Sequence, residues 1–224
     1  MLTYKNLTII GTSHISPKSV KEVKTLIENL KPNIVAVELD QNRFMALMSN
    51  KKKTKTDFKK MLKVLGIKGF LFNVIGAWAE NKLGKIVGVK PGTEMKTAII
   101  TAMQIRTQIA LIDRDISITI KNLFKYLTWK EKFRFVKDLL TGLILKKDVI
   151  NFDLRNVPEQ KFIKNILNIV KKRYPSIYRA LVKERDKYMA KNLYNLMQKF
   201  NTIVAVVGAG HEKGIIHNIK QLEK

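Results

Sequence analysis

Ile203-Val204-Ala205-Val206-Val207-Gly208-Ala209-Gly210-His211 decides the class of this chain. Five apolar residues, mostly β-branched, are too short a run for a buried helix. Near-continuous apolarity instead marks a strand covered on both faces, as in a parallel sheet. The same arrangement recurs near the amino end, where Leu7-Thr8-Ile9-Ile10 leads into Gly11-Thr12-Ser13-His14. In each copy a histidine follows the glycine by three residues. Functional groups of parallel sheets gather at the carboxyl ends of strands, so the two histidines are expected at one edge.

The segments between these strands alternate helix and strand. Ser16-Pro17-Lys18-Ser19 is a helix start, and Val20, Val23, Ile27 and Leu30 keep helical spacing until Pro32. Residues 34–39 read as the second strand, so the first unit is a parallel pair with a right-handed crossover. Residues 41–48 begin another helix, and Asp57 can cap one that carries Met61, Leu62, Leu65 and Phe70. Residues 58–89 are apolar, basic and glycine-punctuated. Packed helices are the favoured reading there, and an amphipathic surface on a membrane is the other. Residues 94–105 read as helix and 109–112 as the third strand. Residues 117–145 read as one long helix, further helices start near Asn156 and at Pro175, and residues 203–207 and 214–222 close the chain as strand and helix. The expected fold is α/β: one domain over residues 1–224, a mostly parallel central sheet flanked by helices, and a large helical insertion at about 116–200.

Composition narrows the chemistry. The 224 residues include no cysteine, which removes disulfides, Cys-zinc sites and Cys nucleophiles. A cytoplasmic location is expected, with association at a membrane surface as an addition. Met1-Leu2-Thr3-Tyr4-Lys5 lacks the basic start and apolar region expected of a signal peptide, and no apolar run reaches the roughly 18 residues of a membrane span. Lys+Arg number 43 against 18 Asp+Glu, a formal charge of +25. Basic residues are spread along the chain without interleaved aromatic stacking patterns, so a lysine-rich surface or attraction to anionic lipid is expected and specific nucleic-acid binding is not.

Against this background the acids are concentrated. Glu38, Asp40, Glu94, Asp113, Asp115, Glu184, Asp186 and Glu212 fall in short motifs or beside the second histidine. Helix caps and ion pairs account for any one of them, less readily for the set. His14 and His211 are the metal candidates, because neutral imidazole is the commonest ligand for transition metals. Glu38 is the natural third ligand, and two histidines with a glutamate form a recurrent catalytic zinc set with an open position for water. Mn²⁺, Co²⁺ or Fe²⁺ suit the same donors. Arg43 is read either as an oxyanion stabiliser or as an ion-pair partner of Asp40, and Glu94 as a general base or a helix cap. Asp113-Arg114-Asp115 and Glu184-Arg185-Asp186 are read as a buried supporting network. On a helix, Glu184 and Asp186 point to different faces. His217 is an ordinary surface or core residue in this reading.

Taken together, Gly11-Thr12-Ser13-His14-Ile15-Ser16, Val37-Glu38-Leu39-Asp40 with Arg43, Pro91-Gly92-Thr93-Glu94-Met95, Asp113-Arg114-Asp115-Ile116, Glu184-Arg185-Asp186 with Met189, and Val207-Gly208-Ala209-Gly210-His211 with Gly214-Ile215 resemble the TraB family, which includes the PrgY, GumN and Tiki proteins. The resemblance implies a fold like the erythromycin esterase and ChaN group. Its Tiki branch implies metal-dependent proteolysis that clips the amino terminus of a secreted signal. It implies that His14, Glu38, Arg43 and His211 are the catalytic or metal positions. TraB and PrgY imply instead a membrane protein that lowers a peptide signal. The expected function is a metal-dependent hydrolase, a peptidase above all, using Mn, Co or Zn. The alternative is a non-catalytic, membrane-proximal protein that sequesters a peptide or small ligand. Expected partners are a peptide, an anionic membrane surface and a second copy of the chain.

Overall fold

A computed structural model describes residues 1–12, 17–49, 92–140 and 159–224. Its strands are β1 (Leu2–Tyr4), β2 (Leu7–Thr12), β3 (Ile34–Val37), β4 (Gln108–Leu111) and β5 (Ile203–Gly208). The helices are α1 (Pro17–Leu30), α2 (Gln41–Met48), α3 (Thr93–Gln104), α4 (Ile116–Tyr126), α5 (Trp129–Leu140), α6 (Glu159–Arg173), α7 (Pro175–Tyr178), α8 (Glu184–Met197) and α9 (Glu212–Leu222). One π-helical stretch, Arg179–Lys183, joins α7 to α8.

The sheet order is β1-β2-β5-β3-β4. Strands β2, β5, β3 and β4 run parallel, and β1 alone pairs antiparallel, with Leu2 opposite Ile9. β5 is buried along its whole length, which explains its unbroken apolar sequence.

Successive side chains of the strands alternate between two cores. Leu7, Ile9, Ile34, Ala36, Ala205 and Val207 pack with Met189 and Leu193 of α8 and Ile215 and Ile219 of α9. Ile10, Val35, Val37, Val204 and Val206 pack with Val23 and Ile27 of α1 and with Ala98, Ile99 and Ala102 of α3. Burying each large aliphatic side chain contributes about 1.5–3 kcal/mol. The chain leaving β2 therefore goes to one face and the chain leaving β5 to the other. Adjacent parallel strands whose connections part this way open a crevice beyond their carboxyl ends. The fold places Thr12, Glu38, Gly208 and Asp113 around that crevice.

Several local expectations change. β1 is an additional strand that the four-strand reading omitted. It is three residues long, so its alternation is too brief to stand out. β3 stops at Val37, and β4 begins at Gln108. The helix expected over residues 117–145 breaks, with Leu127 extended (ψ 110°) between α4 and α5. Thr128 and Glu131 cause the restart. Glu131 N–H donates to Thr128 Oγ1 at 3.3 Å, and Thr128 N–H donates to Glu131 Oε2 at 3.1 Å, a reciprocal capping box. Residues 141–145, the helix expected after Asp57, the apolar segment 58–89 and the start at Asn156 lie outside the described residues. Among the described residues, no helix is long and apolar enough to cross a membrane.

Candidate functional site

Glu38 is the first residue beyond β3, and its N–H still donates to Val206 O of β5 at 3.1 Å. This backbone bond carries the side chain to the end of the central strand. There Glu38 Oε2 accepts from Gly208 N–H at 2.6 Å. Oε1 accepts from Arg185 Nη2. The residue is 7% exposed, so its carboxylate is satisfied by protein donors.

His211 follows the Gly208-Ala209-Gly210 turn and stands at the amino end of α9. Its Nδ1 is 2.5 Å from Asp186 Oδ1 of α8, and its Nε2 is 3.5 Å from Glu38 Oε1. Arg185 Nη1 also lies 3.3 Å from Nε2. A carboxylate only accepts and a guanidinium only donates. The Asp186 and Arg185 contacts are both satisfied by the tautomer that carries a proton on Nδ1 and accepts from Arg185 on Nε2.

Arg185 is the hub. Besides Glu38 and His211 it donates from Nη2 and Nε to Asp113 Oδ2, at 2.5 and 3.1 Å. Burial works against its charge, but Glu38 and Asp113 outweigh that and hold its pKa above the ordinary arginine value. Asp113 also receives Arg43 Nη2. Arg43 turns its Nε to Asp40 Oδ2 at 2.6 Å, while Asp40 Oδ1 caps α2 through Arg43 N–H at 2.9 Å. The ion pair between Arg43 and Asp40 is therefore present, and it sits inside the cluster. With its side chain 33% exposed, Arg43 is the more open of the two guanidiniums, against 14% for Arg185. Burial pushes the Asp186 carboxyl up, with the His211 contact opposing.

Two of the other expected residues belong to a neighbouring structural cluster. Arg114 donates to Thr119 Oγ1 at 3.0 Å, Glu184 Oε2 at 3.2 Å and Ala180 O at 3.0 Å. Glu184 points away from Asp186, as expected for a helix. Burial raises its pKa, but bonds from Tyr126, Asn122 and Arg114 prevail and lower it. Asp115 caps α4 through Ser117 N–H at 2.7 Å and accepts from Asn42 at 2.9 Å. Glu94 is fully buried in the first turn of α3. His217 is exposed on α9. His14 lies outside the described residues.

Two glycines complete the packing. A Cβ on Gly214 would stand 1.9 Å from Asp186 Oδ2, so α9 approaches α8 closely enough only without a side chain there. A Cβ on Gly11 would meet Glu212 Cδ at 2.3 Å, where Glu212 accepts from Gly11 N–H at 3.0 Å. Neither role was foreseen. The spacing from His211 to Gly214, one helical turn, is the signal that points to the first. The π-helical stretch before Glu184 went unforeseen as well; such insertions often mark functional sites.

Arg185 supplies the positive charge between Glu38 and His211. A carboxylate-oriented imidazole is how proteins present a metal-ligating histidine, and Glu38 adds a hard oxygen 3.5 Å from Nε2. Among the described residues, Glu38, Asp40, Asp113 and Asp186 face Arg43 and Arg185, which leaves two formal negative charges when His211 is neutral. Yet among the described residues no group of three or more His, Asp and Glu side chains is arranged to hold a metal.

The model of the TraB/PrgY/gumN family matches residues 3–224. An uncharacterized protein of Methanocaldococcus jannaschii is 43% identical over 222 residues, covering 97% of this chain and 54% of that protein. A TraB domain-containing protein of Bos taurus is 24% identical over 235 residues, 94% of this chain and 61% of that protein. The TraB domain-containing protein of Homo sapiens is 25% identical over 236 residues, with the same coverage of 94% and 61%. The chain thus spans between half and two thirds of the length of these relatives.

Proposed function

Since the chain belongs to the TraB/PrgY/gumN family, and since its sheet edge carries an oriented histidine in a cluster with excess negative charge, we propose that it is a metal-dependent hydrolase acting on a peptide. His211 and Glu38 would hold the divalent cation (Mn, Co or Zn), with His14 as the third ligand from the matching strand–glycine–histidine motif. When bound, the metal would lower the pKa of a water and polarise the scissile carbonyl.

The chain's own groups set the rest. Asp186 fixes the ring of His211 and keeps Nε2 free of its proton. Gly208 N–H fixes Glu38 from the other side. Arg43, the more open guanidinium, is placed to stabilise an oxyanion, and its attachment to Asp40 and Asp113 holds it there without reorganisation. Glu94 is the carboxylate proposed to carry the proton to the leaving amine. The working location in this reading is the cytoplasm.

The contact between Asp186 and His211 is the observation that carries this reading. Its test is metal content by elemental analysis, with the His14→Ala/His211→Ala double variant beside the parent. A near-stoichiometric divalent metal that the variant loses supports it, and a peptide library incubated with that metal then reports cleavage. A second reading is favoured by Arg185, which already satisfies both Glu38 and His211. In it the chain binds a peptide or small ligand without hydrolysis. No uptake of Mn²⁺, Co²⁺ or Zn²⁺ on titration would end the first reading in favour of the second.

A further inference from the structure

Helix α5 is built inside out. Its acids, Glu131 and Asp138, are 4% and 2% exposed, whereas Trp129 and Phe133 are 70% and 71% exposed. The inward acids are fully engaged. Glu131 accepts from Thr128 and from Ser176 N–H at 2.8 Å, and Asp138 accepts from Tyr174 Oη at 2.6 Å and from Arg173. These bonds hold α5 against α6 and α7 and so fix which face looks outward.

That outward face is one continuous arc. At 100° per residue, Trp129, Phe133, Lys130 and Arg134 fall within less than half a turn, and all are exposed. The two rings lie 6.3 Å apart, and Lys132 Nζ sits 4.2 Å from the centre of the Trp129 ring. Glu131 and Asp138 are the only acids between residues 116 and 147, so their burial leaves this stretch without a negative charge on its surface. Exposing two large aromatics forfeits stabilisation that burial would give, and here the sequence turns carboxylates toward α6 and α7 instead.

We infer that the outward face of α5 docks on an anionic lipid bilayer, with Trp129 and Phe133 at headgroup depth and Lys130 and Lys132 among the phosphates, beside Arg134, whose Nη1 is held by Arg173 O at 2.7 Å. Charge complementarity selects this occupant. Amphipathic rings beside basic residues, on a chain of net charge +25, match the interface of an anionic membrane in both layers of chemistry. The inference is independent of the hydrolase reading, since none of these side chains reaches the crevice cluster.

The chain has two tryptophans, Trp78 and Trp129, so each can be made the sole reporter. The experiment mixes full-length Trp78→Phe protein with vesicles of phosphatidylcholine alone, and with vesicles of phosphatidylcholine and phosphatidylglycerol in equal parts. The expected result is a blue shift of Trp129 emission and co-flotation with the anionic vesicles, reversed by salt. Lys130→Glu should weaken flotation by about fivefold or more. Phe133→Ser should weaken it by about tenfold, with an unchanged circular dichroism spectrum showing that the fold persists. The inference is overturned if Trp129 emission does not move, if neutral and anionic vesicles bind equally, or if only the Trp129→Phe protein, reporting from Trp78, responds. A response of Trp129 to an oligonucleotide but not to vesicles would overturn it too, in favour of nucleic acid.

Discussion

Asp186 and His211 touch at 2.5 Å although one lies on the helix before β5 and the other just after that strand. The contact ties the start of α9 to α8 and holds the imidazole ring in one orientation. Replacing the carboxylate by an amide of the same shape isolates this role. If the cluster takes the proposed divalent metal, Asp186→Asn is expected to lower its affinity roughly 10–100-fold while leaving the far-ultraviolet spectrum intact. Isothermal titration with Mn²⁺ measures it, and an unchanged affinity would sink the assignment of Asp186 as the orienting group.

Gly214→Ala inserts a methyl where Asp186 Oδ2 stands. A destabilisation of about 1–3 kcal/mol is expected from urea unfolding. Since the clash is with one side chain, the penalty should shrink by more than about 0.5 kcal/mol in an Asp186→Ala background. Additive effects would show that the helix approach, and not the carboxylate, demands the glycine.

Arg185 balances Glu38 and Asp113 in a buried setting. Removing it by Arg185→Ala leaves carboxylates facing one another and should cost about 3–5 kcal/mol. If the cluster accepts a divalent cation, Mn²⁺ should raise the melting temperature of Arg185→Ala more than that of the parent. Equal shifts would separate Arg185 from the cation site.

Tyr174 sets an alkaline limit. Burial, then the neighbouring Asp138, pushes its hydroxyl up to about 12 from an ordinary 10.0. The fold therefore favours the protonated phenol, and between these values the folded chain binds more protons than the unfolded one. Stability is then lost as pH rises from about 10 toward 12. Tyr174→Phe should flatten that decline. A parallel decline in parent and variant, followed by thermal unfolding across the window, would exclude this phenol as its source.

The parallel sheet was legible because β2, β3 and β5 each state it locally, as short apolar runs ending in glycine or acid. Glu38, Asp40, Arg43, Asp113 and His211 were legible for the same reason: each lies just past a strand, and a parallel sheet gathers the residues beyond its strand ends along one edge. The clustering of Arg185 with Glu38 and His211 was not, because α8 is distant in sequence and the π-helical stretch before it sets which side of Glu184-Arg185-Asp186 faces the crevice. Arg114 illustrates the converse. Its acidic neighbours suggested the site network, yet its guanidinium turns to Glu184 and Ala180 O. The break at Thr128 was written in the sequence as Thr-x-x-Glu, but hidden by apolar residues that keep helical spacing through it.

Strand order has a consequence for biosynthesis. β5 is the last of the five strands to leave the ribosome, yet it lies between β2 and β3. Until it emerges, β1-β2 and β3-β4 share no backbone ladder, and the packing of α1 on α3 connects them. The nascent chain must therefore hold its two ribbons without a shared ladder until Ile203–Gly208 has been made, and the Glu38–His211 cluster cannot form before then.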